Sequence, residues 1–409
     1  MQFPPIVMLT AHSFPHIGGL EIAVLNFARI LSKHGHKVYI IAPMNIKMPE
    51  YEIIDGIPIF RFPFDWNVAY TALVQNLGTN KFRSNLIQEI KSILNKIGKQ
   101  VIIHAHGEAV IAAGWLKEWN NDLKLVYTPH SSPNGLKDLL QTKIFGKLYF
   151  QPSIEKVDII AYHSTNLISE LKELEIDLDK IREIINFIDP TLFNPSEYDK
   201  ISCRRILNLP ENSRIIFSPS RLDEEKGLIE LVCTLPIIIE KYPDVYLYIA
   251  GDLEYGFMID PSDLQHKILR KVRKILPEYV DRVRFTGAIP YHIMPKWYSA
   301  ADVIVLISRD ECMPMCILEA MAMEKPIVAT KIGCIPELLE NCTGRLIEIS
   351  TDGKASPKVV ANALIEELAQ NKNKVISLKN LREKIFHNFS PEAGYQKLKA
   401  IYTELSEQV

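Results

Sequence analysis

Short runs of β-branched and other apolar residues recur along the chain, and amphipathic stretches separate them. The run at 302–308 is almost continuously apolar, and the run at 6–9 is another example. Such runs are typical of strands that are buried on both faces of a parallel sheet. Apolar positions with helical spacing follow most of them and predict helices that cover the sheet. The alternation therefore predicts an α/β protein with Rossmann-like units.

The pattern places predicted strands in two groups. The first group comprises 6–9, 38–42, 57–62, 101–107, 125–128, 158–161 and 184–186, and the second comprises 215–218, 245–251, 283–289, 302–308, 327–330 and 344–347. Predicted helices include 81–97, 136–150, 167–174, 314–324, 357–385 and 389–405. A length of 409 residues exceeds what one hydrophobic core usually serves, so we expect two domains. Pro190 and Pro195 suggest the linker, which predicts domains at 1–189 and 190–389.

Composition narrows the class of protein. A net charge of −2 gives no reason to expect nucleic acid as a partner. The six cysteines show no CxxC motif and no zinc spacing, so we expect reduced thiols and a cytoplasmic protein. The chain has no apolar run of 18 residues, and its first residues are not those expected of a signal peptide.

Residues 309–319 combine a tight polar corner with the start of a helix. Pro314 is tolerated in a first helical turn, where its missing N–H would have no acceptor. The free amides of that turn would form an anion site at the carboxyl edge of the sheet. Glu311 and Glu319 flank this site, and carboxylates accept hydrogen bonds from sugar hydroxyls. The alternative is that Glu311 is an exposed loop residue and Glu319 an exposed helix residue. The apolar neighbours of Glu319 instead favour a buried carboxylate that has a hydrogen-bond partner.

Two cationic residues follow the strand at 215–218. Arg221 and Lys226 occupy a loop after it, where an Arg fork and a Lys point charge would neutralise a diphosphate. Taken alone, Arg221 and Lys226 beside three acids would favour a surface ion-pair cluster over an anion site. The glutamate corner that follows in the same half of the chain favours the anion site.

The first half has fewer distinctive features. Gly18 and Gly19 follow the first strand, but the G-x-G-x-x-G motif is absent, so a dinucleotide cofactor is not expected. His104 and His106 have strand spacing and would point the same way. Metal ligation would need a third ligand, which the neighbouring sequence does not supply, and a histidine bonded to backbone is the other alternative.

The sequence Glu311-Cys-Met-Pro-Met-Cys-Ile-Leu-Glu319 resembles the Glu-x7-Glu signature of the retaining glycosyltransferases of family 4. Further matching segments are Tyr298-Ser-Ala-Ala-Asp302, Pro326-Ile-Val-Ala-Thr330, Ile335-Pro-Glu337, Arg221 to Gly227, Gly18-Gly-Leu-Glu21, His104-Ala-His106 and Thr128-Pro-His130. The chain departs from the family pattern at Cys312 and Cys334, where small residues or glycine are usual, and at Phe187 and Ser220.

The resemblance implies the GT-B fold, with two Rossmann-like domains facing across a cleft and a C-terminal helix, about 390–409, crossing back to the first domain. It implies transfer from a UDP- or GDP-linked sugar to a glycan, lipid-linked or small-molecule acceptor, with retention. Neither a cofactor nor a metal ion is expected. The catalytic residues it implies are Glu311, His106, Arg221 and Lys226. The donor-binding residues are Gly18, Gly19, Ile289, Met313, Met315, Cys316 and Glu319, and the acceptor-side residues are Glu21 and His130.

In this scheme Glu319 holds the ribose, and Glu311 and His106 contact the donor sugar. Other activities remain open on the same fold: a nucleotide-sugar epimerase, a glycoside phosphorylase, or a non-catalytic nucleotide- or carbohydrate-binding protein. Lys137, Lys143 and Lys147 interleave with apolar residues in 136–150. That pattern suits either a helix packed on its own domain or peripheral contact with an anionic membrane.

Overall fold

The computed structural model forms two compact units, one of residues 1–186 with 391–409 and one of residues 187–390. The division lies close to the predicted boundary after residue 189. The structure describes residues 3–12, 14, 18–44, 48–63, 79–98, 100–142, 145–163, 168, 172, 176–251, 261–275, 277–369 and 374–407. The helix predicted at 167–174 lies almost wholly outside the described residues.

Eight strands of the described residues form the sheet of the first unit. They are β1 (Ile6–Thr10), β2 (Val38–Pro43), β3 (Tyr51–Ile54), β4 (Ile57–Phe62), β5 (Ile102–His106), β6 (Lys124–Thr128), β7 (Ile159–Tyr162) and β8 (Ile181–Glu183). Their order across the sheet is β3-β4-β2-β1-β5-β6-β7-β8. Only the β3–β4 pair among them is antiparallel, so seven carboxyl ends meet at one edge.

Helices cover both faces of this sheet and bury its apolar runs. The helices are Gly19–Lys33, Thr79–Ile97, Val110–Trp119, Pro133–Gln141, Gln151–Ile154 and the final helix Pro391–Glu407, with a π-helical turn at Phe145–Phe150. The final helix belongs to the first unit. Its Tyr402 is fully buried and contacts His104 of β5 through a 2.7 Å hydrogen bond between the hydroxyl and Nδ1.

Six parallel strands of the described residues form the second sheet. They are β9 (Arg214–Pro219), β10 (Val245–Ala250), β11 (Val283–Gly287), β12 (Val303–Leu306), β13 (Ile327–Thr330) and β14 (Arg345–Ile347). Their order is β11-β10-β9-β12-β13-β14. The helices around it are Lys200–Ile206, Leu228–Val232, Leu235–Lys241, Pro261–Ile275, Met294–Ala300, Met315–Ala322, Ile335–Leu339, Pro357–Leu368 and Lys374–Asn388.

Each sheet has a switch point, where the strand order reverses. In the first sheet it lies between β1 and β5, and in the second between β9 and β12. Helices diverge to opposite faces at such a point and leave a crevice outside the carboxyl ends of the strands, where open α/β sheets bind ligands. The loops that follow β1, β5, β9 and β12 are therefore the places to look for a site.

The predicted α/β class is confirmed, with local corrections. The helix expected at 136–150 is the helix Pro133–Gln141 followed by the π-helical turn Phe145–Phe150. The strand expected at 184–186 is β8 at Ile181–Glu183, because pairing with β7 begins at Ile181 and ends before the more apolar residues. The helical region expected at 357–385 is two helices, β3 is an unpredicted hairpin strand, and the helix expected at 314–324 spans Met315–Ala322.

The C-terminal end of the Met315–Ala322 helix has a clear physical cause. Glu324 has a left-handed backbone (φ 54°), and the N–H groups of Glu324 and Lys325 donate to the carbonyls of Met321 and Ala320. This is the Schellman arrangement, which closes a helix. At the other end Pro314 precedes the helix in an extended conformation (φ −71°, ψ 123°) rather than joining the first turn.

Candidate active site

Lys226 and Glu311 meet at the switch point of the second sheet. Lys226 follows β9 and Glu311 follows β12, and the Lys226 Nζ donates to Glu311 Oε1 at 2.7 Å. The Ser308 hydroxyl donates to the same oxygen at 2.7 Å. The two charged side chains are 12% and 13% exposed, so the pair is mostly enclosed. The structure thus brings together a cation and a carboxylate that sequence analysis had assigned to different parts of a ligand.

Two glycines allow the loops around this pair to pack closely. Gly227 has a left-handed backbone (φ 65°), and a Cβ there would overlap the carbonyl oxygen of Ile307. A Cβ at Gly333 (φ 51°) would likewise overlap the carbonyl oxygen of Glu311. Only glycine combines this backbone conformation with such close approach at little cost. The neighbouring Cys334 donates its N–H to the Cys312 carbonyl at 2.9 Å, so two of the four departures from the family pattern contact each other.

Glu319 is a buried carboxylate with a specific partner. Its side chain is 3% exposed, and the hydroxyl of Tyr298 donates to Oε2 at 2.6 Å. Burial raises the pKa of Glu319 to about 7, although the hydrogen bond from Tyr298 acts in the opposite direction. The alternative of an exposed helix residue is therefore wrong. Tyr298 lies in a segment that matches the family pattern, but the sequence did not indicate its contact with Glu319.

The remaining residues predicted on this side occupy the same sheet edge or its helix. Met313 and Met315 are buried, Cys316 is half-buried at the start of the Met315–Ala322 helix, and Ile289 is buried just beyond β11. Arg221 is exposed in the loop after β9. The first-turn amides of the helix have no acceptor within it, which makes its start suitable for an anion.

A second cluster lies at the switch point of the first sheet. His12 follows β1, and its ring nitrogens face Glu21 Oε1 at 3.3 Å and Glu108 Oε2 at 3.7 Å. Burial alone would lower the pKa of His12, but the Glu108 and Glu21 carboxylates outweigh it and raise the pKa to about 10. His12 is therefore an imidazolium between two carboxylates. Sequence analysis missed both His12 and Glu108, which belong to none of the matching segments.

The glycines before the first helix serve this cluster. Gly18 precedes the helix in an extended conformation, and a Cβ there would overlap Oε2 of Glu21. The oxygen that closely approaches this backbone therefore belongs to the chain itself, and the donor contact implied for Gly18 by the resemblance stays a prediction. Gly19 is exposed at the first helical position, and Glu21 is buried.

His106 and His130 form a hydrogen-bonded pair beside this cluster. His106 ends β5 and is fully buried, with Nδ1 at 2.9 Å from His130 Nε2 and Nε2 at 3.4 Å from Met8 Sδ. His130 follows β6, is half-buried and has a left-handed backbone (φ 57°). Burial lowers the pKa of both rings well below the ordinary value for histidine. The predicted contact of His106 with a sugar stays a prediction, since protein atoms face both of its nitrogens.

Two absences apply to the described part of the chain. Nowhere in it do three or more His, Cys, Asp or Glu side chains gather so as to hold a metal ion. Its helices also include none with the length and apolar character needed to cross a membrane. In 136–150, Leu136, Leu140 and Phe150 are buried, whereas Lys147 and Leu148 are exposed; Lys143 lies outside the described residues.

Comparisons with known proteins cover most of the chain. A family model described as "Glycosyl transferases group 1" matches residues 213–370, and one described as "Glycosyltransferase Family 4" matches residues 17–192. An uncharacterised glycosyltransferase of Methanocaldococcus jannaschii is 27% identical over 82% of this chain and 83% of its own length. N-acetyl-α-D-glucosaminyl L-malate synthase of Bacillus anthracis is 24% identical over 96% of this chain and 95% of its own.

A solved structure extends the comparison to the fold. Anabaena HepE, crystallised in complex with UDP-glucose, matches with a TM-score of 0.71 at 18% identity, over 97% of this chain and 99% of that one.

Proposed function

Because the chain is a family 4 glycosyltransferase with the GT-B fold, we propose that it transfers a sugar from a UDP-sugar to a hydroxyl-bearing acceptor with retention at the anomeric carbon. The donor assignment is supported by the similarity to HepE, which binds UDP-glucose in its crystal structure. The similarity to a synthase named for an N-acetylglucosaminyl product makes N-acetylglucosamine the first alternative to glucose as the transferred sugar.

The observation that carries this proposal is the arrangement of Lys226, Glu311 and Glu319 around the start of the Met315–Ala322 helix. All three follow strands at the carboxyl edge of the second sheet, and the first two meet at its switch point. A helix start and a lysine suit a diphosphate. The two carboxylates suit hydroxyl groups on either side of it, so Glu319 would take the ribose and Glu311 the sugar.

Binding of the donor would exchange the partners of the ion pair. Without ligand, Lys226 and Glu311 satisfy each other. A diphosphate would draw Lys226 towards its oxygens, and the freed Glu311 oxygen would accept hydrogen bonds from sugar hydroxyls. This exchange would spare both charges from being left enclosed without a partner, which is the costly state for a buried ion.

The chemical step needs stabilisation of the leaving diphosphate. The acceptor oxygen forms a bond to the anomeric carbon as the bond from that carbon to the phosphate oxygen breaks. The acceptor hydroxyl proton passes to the departing diphosphate on the same face. Lys226, Arg221 and the amides near Met315 and Cys316 would stabilise the charge that develops there, which is usually the largest catalytic contribution.

We further propose that the cationic side chains stabilise the leaving diphosphate without a metal ion. Activity that is unchanged by EDTA would support this proposal, and activity restored only by a divalent cation would refute it.

For residues 136–150 we propose packing within the first unit rather than membrane contact, because Leu136, Leu140 and Phe150 are buried.

The decisive experiment incubates the protein with UDP-glucose or UDP-N-acetylglucosamine and a panel of sugar, inositol and hydroxy-acid acceptors. Proton NMR of the product then reports the anomeric configuration. An α-linked product from the α-linked donor supports the proposal, and a β-linked product refutes retention. Interconversion of the donor sugar without acceptor would indicate an epimerase, phosphate-dependent cleavage a phosphorylase, and donor binding without turnover a binding protein.

A further inference from the structure

We propose that Cys312 and Cys334 form an oxidisable dithiol, which a peroxide converts to a disulfide beside Glu311 and which thereby lowers the rate of sugar transfer. The formation of the disulfide rests on the geometry of the two cysteines alone. Its consequence rests on the proposed function, in which Glu311 holds the donor sugar.

The backbone holds the two cysteines at a distance that a disulfide can span. The N–H of Cys334 donates to the carbonyl of Cys312 at 2.9 Å. A backbone hydrogen bond between two facing residues places their Cα atoms roughly 5–6 Å apart, and disulfides span roughly 4.4–6.8 Å between Cα atoms. Gly333 makes this approach possible, because a Cβ at its position would overlap the carbonyl oxygen of Glu311.

The two side chains also face each other. The thiols of Cys312 and Cys334 share a hydrogen bond, so their sulfur atoms already lie side by side. Cys312 is 6% exposed and Cys334 is fully buried, which makes Cys312 the thiol that a small oxidant reaches first. Both thiols are free. The pair is therefore a reduced dithiol that needs only an oxidant to form a bond.

The reaction balances with hydrogen peroxide as the oxidant. The sulfur of Cys312 attacks one peroxide oxygen, the O–O bond breaks, and the thiol becomes a sulfenic acid while the second oxygen leaves as water. The sulfur of Cys334 then attacks the sulfenic sulfur. The S–S bond forms, the S–O bond breaks, and the hydroxyl leaves as water with the proton of Cys334. Two thiols and one peroxide thus give one disulfide and two molecules of water.

The surroundings of Cys312 determine the speed of this reaction. Its hydrogen bond to Cys334 and its burial raise the pKa of Cys312 well above the ordinary value, and the carboxylates of Asp310 and Glu311 raise it further. The thiolate is the reactive form of cysteine. We therefore expect slow oxidation, so that the pair responds to sustained rather than brief exposure to peroxide.

The disulfide would move the loop that carries Glu311, because the other side of the pair is held in place. Cys334 directly precedes the helix Ile335–Leu339, and its carbonyl accepts the N–H of Leu338 at 2.9 Å. Cys312 directly follows Glu311 in the loop after β12. A covalent bond draws two sulfur atoms closer together than a hydrogen bond does, so the loop must shift towards the helix.

Such a shift would affect the sugar more than the nucleotide. Lys226 and the hydroxyl of Ser308 both donate to Glu311 Oε1 at 2.7 Å and set the position of this carboxylate. A displacement of about 1 Å in a group that positions substrate can cost about a hundredfold in rate. Glu319, by contrast, is held by Tyr298 within the following helix. We therefore expect sugar transfer to fall while UDP binding persists.

The first test detects the disulfide itself and needs no activity. The reduced full chain is incubated with hydrogen peroxide, its remaining thiols are alkylated in denaturant, and its peptides are analysed by mass spectrometry. We expect one pair of peptides joined through Cys312 and Cys334, which separates after treatment with dithiothreitol. Alkylation of both cysteines, sulfinic acid at Cys312 without a cross-link, or a disulfide from Cys312 to Cys316 would overturn the proposal.

The second test connects the disulfide to activity through matched variants. Cys312→Ala and Cys334→Ala each remove one sulfur of the pair, whereas the control Cys233→Ala removes a half-buried cysteine and keeps the pair. After peroxide treatment, kcat/KM for the UDP-sugar should fall at least tenfold in the wild type and in the control, and recover with dithiothreitol. It should fall less than twofold in the two pair variants.

Recovery separates the disulfide from methionine oxidation, which needs a dedicated reductase for its reversal. Equal inhibition of all four proteins, or inhibition that dithiothreitol does not reverse, would overturn the link between the pair and activity.

Titration with UDP separates the failure of this proposal from the failure of the proposed function. Oxidised and reduced wild type should bind UDP with affinities within threefold of each other. A larger loss of UDP affinity on oxidation would overturn the assignment of the effect to Glu311. If the reduced protein transfers no sugar at all, the proposed function fails, while the peptide analysis still decides whether the disulfide forms.

Discussion

The Lys226–Glu311 ion pair allows the most quantitative prediction. Two unit charges 2.7 Å apart attract by about 6 kcal/mol at an effective dielectric constant of about 20. Both side chains are enclosed enough that desolvation offsets most of this attraction. A charge-assisted hydrogen bond of this kind typically retains about 2 kcal/mol. We therefore expect the pair to contribute about 2 kcal/mol to the stability of the protein without ligand.

A double-mutant cycle measures this contribution. Lys226→Met keeps the aliphatic stem, and Glu311→Gln keeps an oxygen that the Ser308 hydroxyl can reach. Denaturant unfolding of the wild type, both single variants and the double variant should give a coupling energy of about 2 kcal/mol. The control pair is Arg205 and Glu211 of the same unit, whose side chains are 66% and 40% exposed. Its coupling should be much smaller than that of Lys226 and Glu311, because water solvates and screens both charges.

The same cycle tests the exchange of partners on donor binding. With saturating UDP, Lys226 should turn to the diphosphate, so the coupling to Glu311 should fall below about 1 kcal/mol. Lys226→Met should also lower kcat by tens-fold, which is about 2 kcal/mol of lost leaving-group stabilisation. A coupling no larger than that of the exposed pair, or an unchanged kcat, would refute this reasoning.

Three further predictions concern the buried carboxylates and their neighbours. The pKa of Glu319 is about 7 in the folded protein and about 4.5 when unfolded, so stability should fall as pH rises between these values and level off above pH 7. Glu319→Gln should remove that fall and exceed the wild type by about 3 kcal/mol above pH 7, while raising KM for the donor; parallel melting curves from pH 4 to 8 would contradict it. Tyr298→Phe removes the 2.6 Å hydrogen bond to Glu319 and should cost about 1–3 kcal/mol in unfolding experiments. A loss below about 0.5 kcal/mol would show that the hydroxyl is not needed. Gly18→Ala should displace the Glu21 carboxylate and lower Tm more than Gly19→Ala at the exposed first helical position; equal Tm values for the two variants would contradict the close approach seen at Gly18.

The sequence was sufficient for the fold because apolar runs mark buried parallel strands almost wherever they occur. The confirmed family follows from motifs that lie at the carboxyl ends of those strands. The element boundaries that were predicted wrongly depend on strand pairing and on backbone conformation. The chain pairs β8 through Ile181, although 184–186 is more apolar, and the left-handed backbone at Glu324 ends its helix, which helix propensity does not indicate.

The candidate site was predictable only in part, for a related reason. Glu311, Glu319 and Lys226 could be assigned because they belong to matching segments. The contacts that decide their chemistry join residues distant in sequence, such as Tyr298 with Glu319, and Lys226 with Glu311. His12 and Glu108 were missed because two separate loops bring them together at a switch point. The sequence of neither loop by itself indicates the contact between His12 and Glu108.

Calorimetric titration with UDP measures the central claim most directly, that the second-sheet cluster binds a nucleotide diphosphate. The wild type, Glu319→Ala, Lys226→Met and the control variant Arg205→Ala would be titrated in the presence of EDTA. We expect UDP to bind to the wild type and to the control, with affinity at least tenfold weaker in the other two. Equal affinity in all four proteins, or binding by none of them, would contradict it.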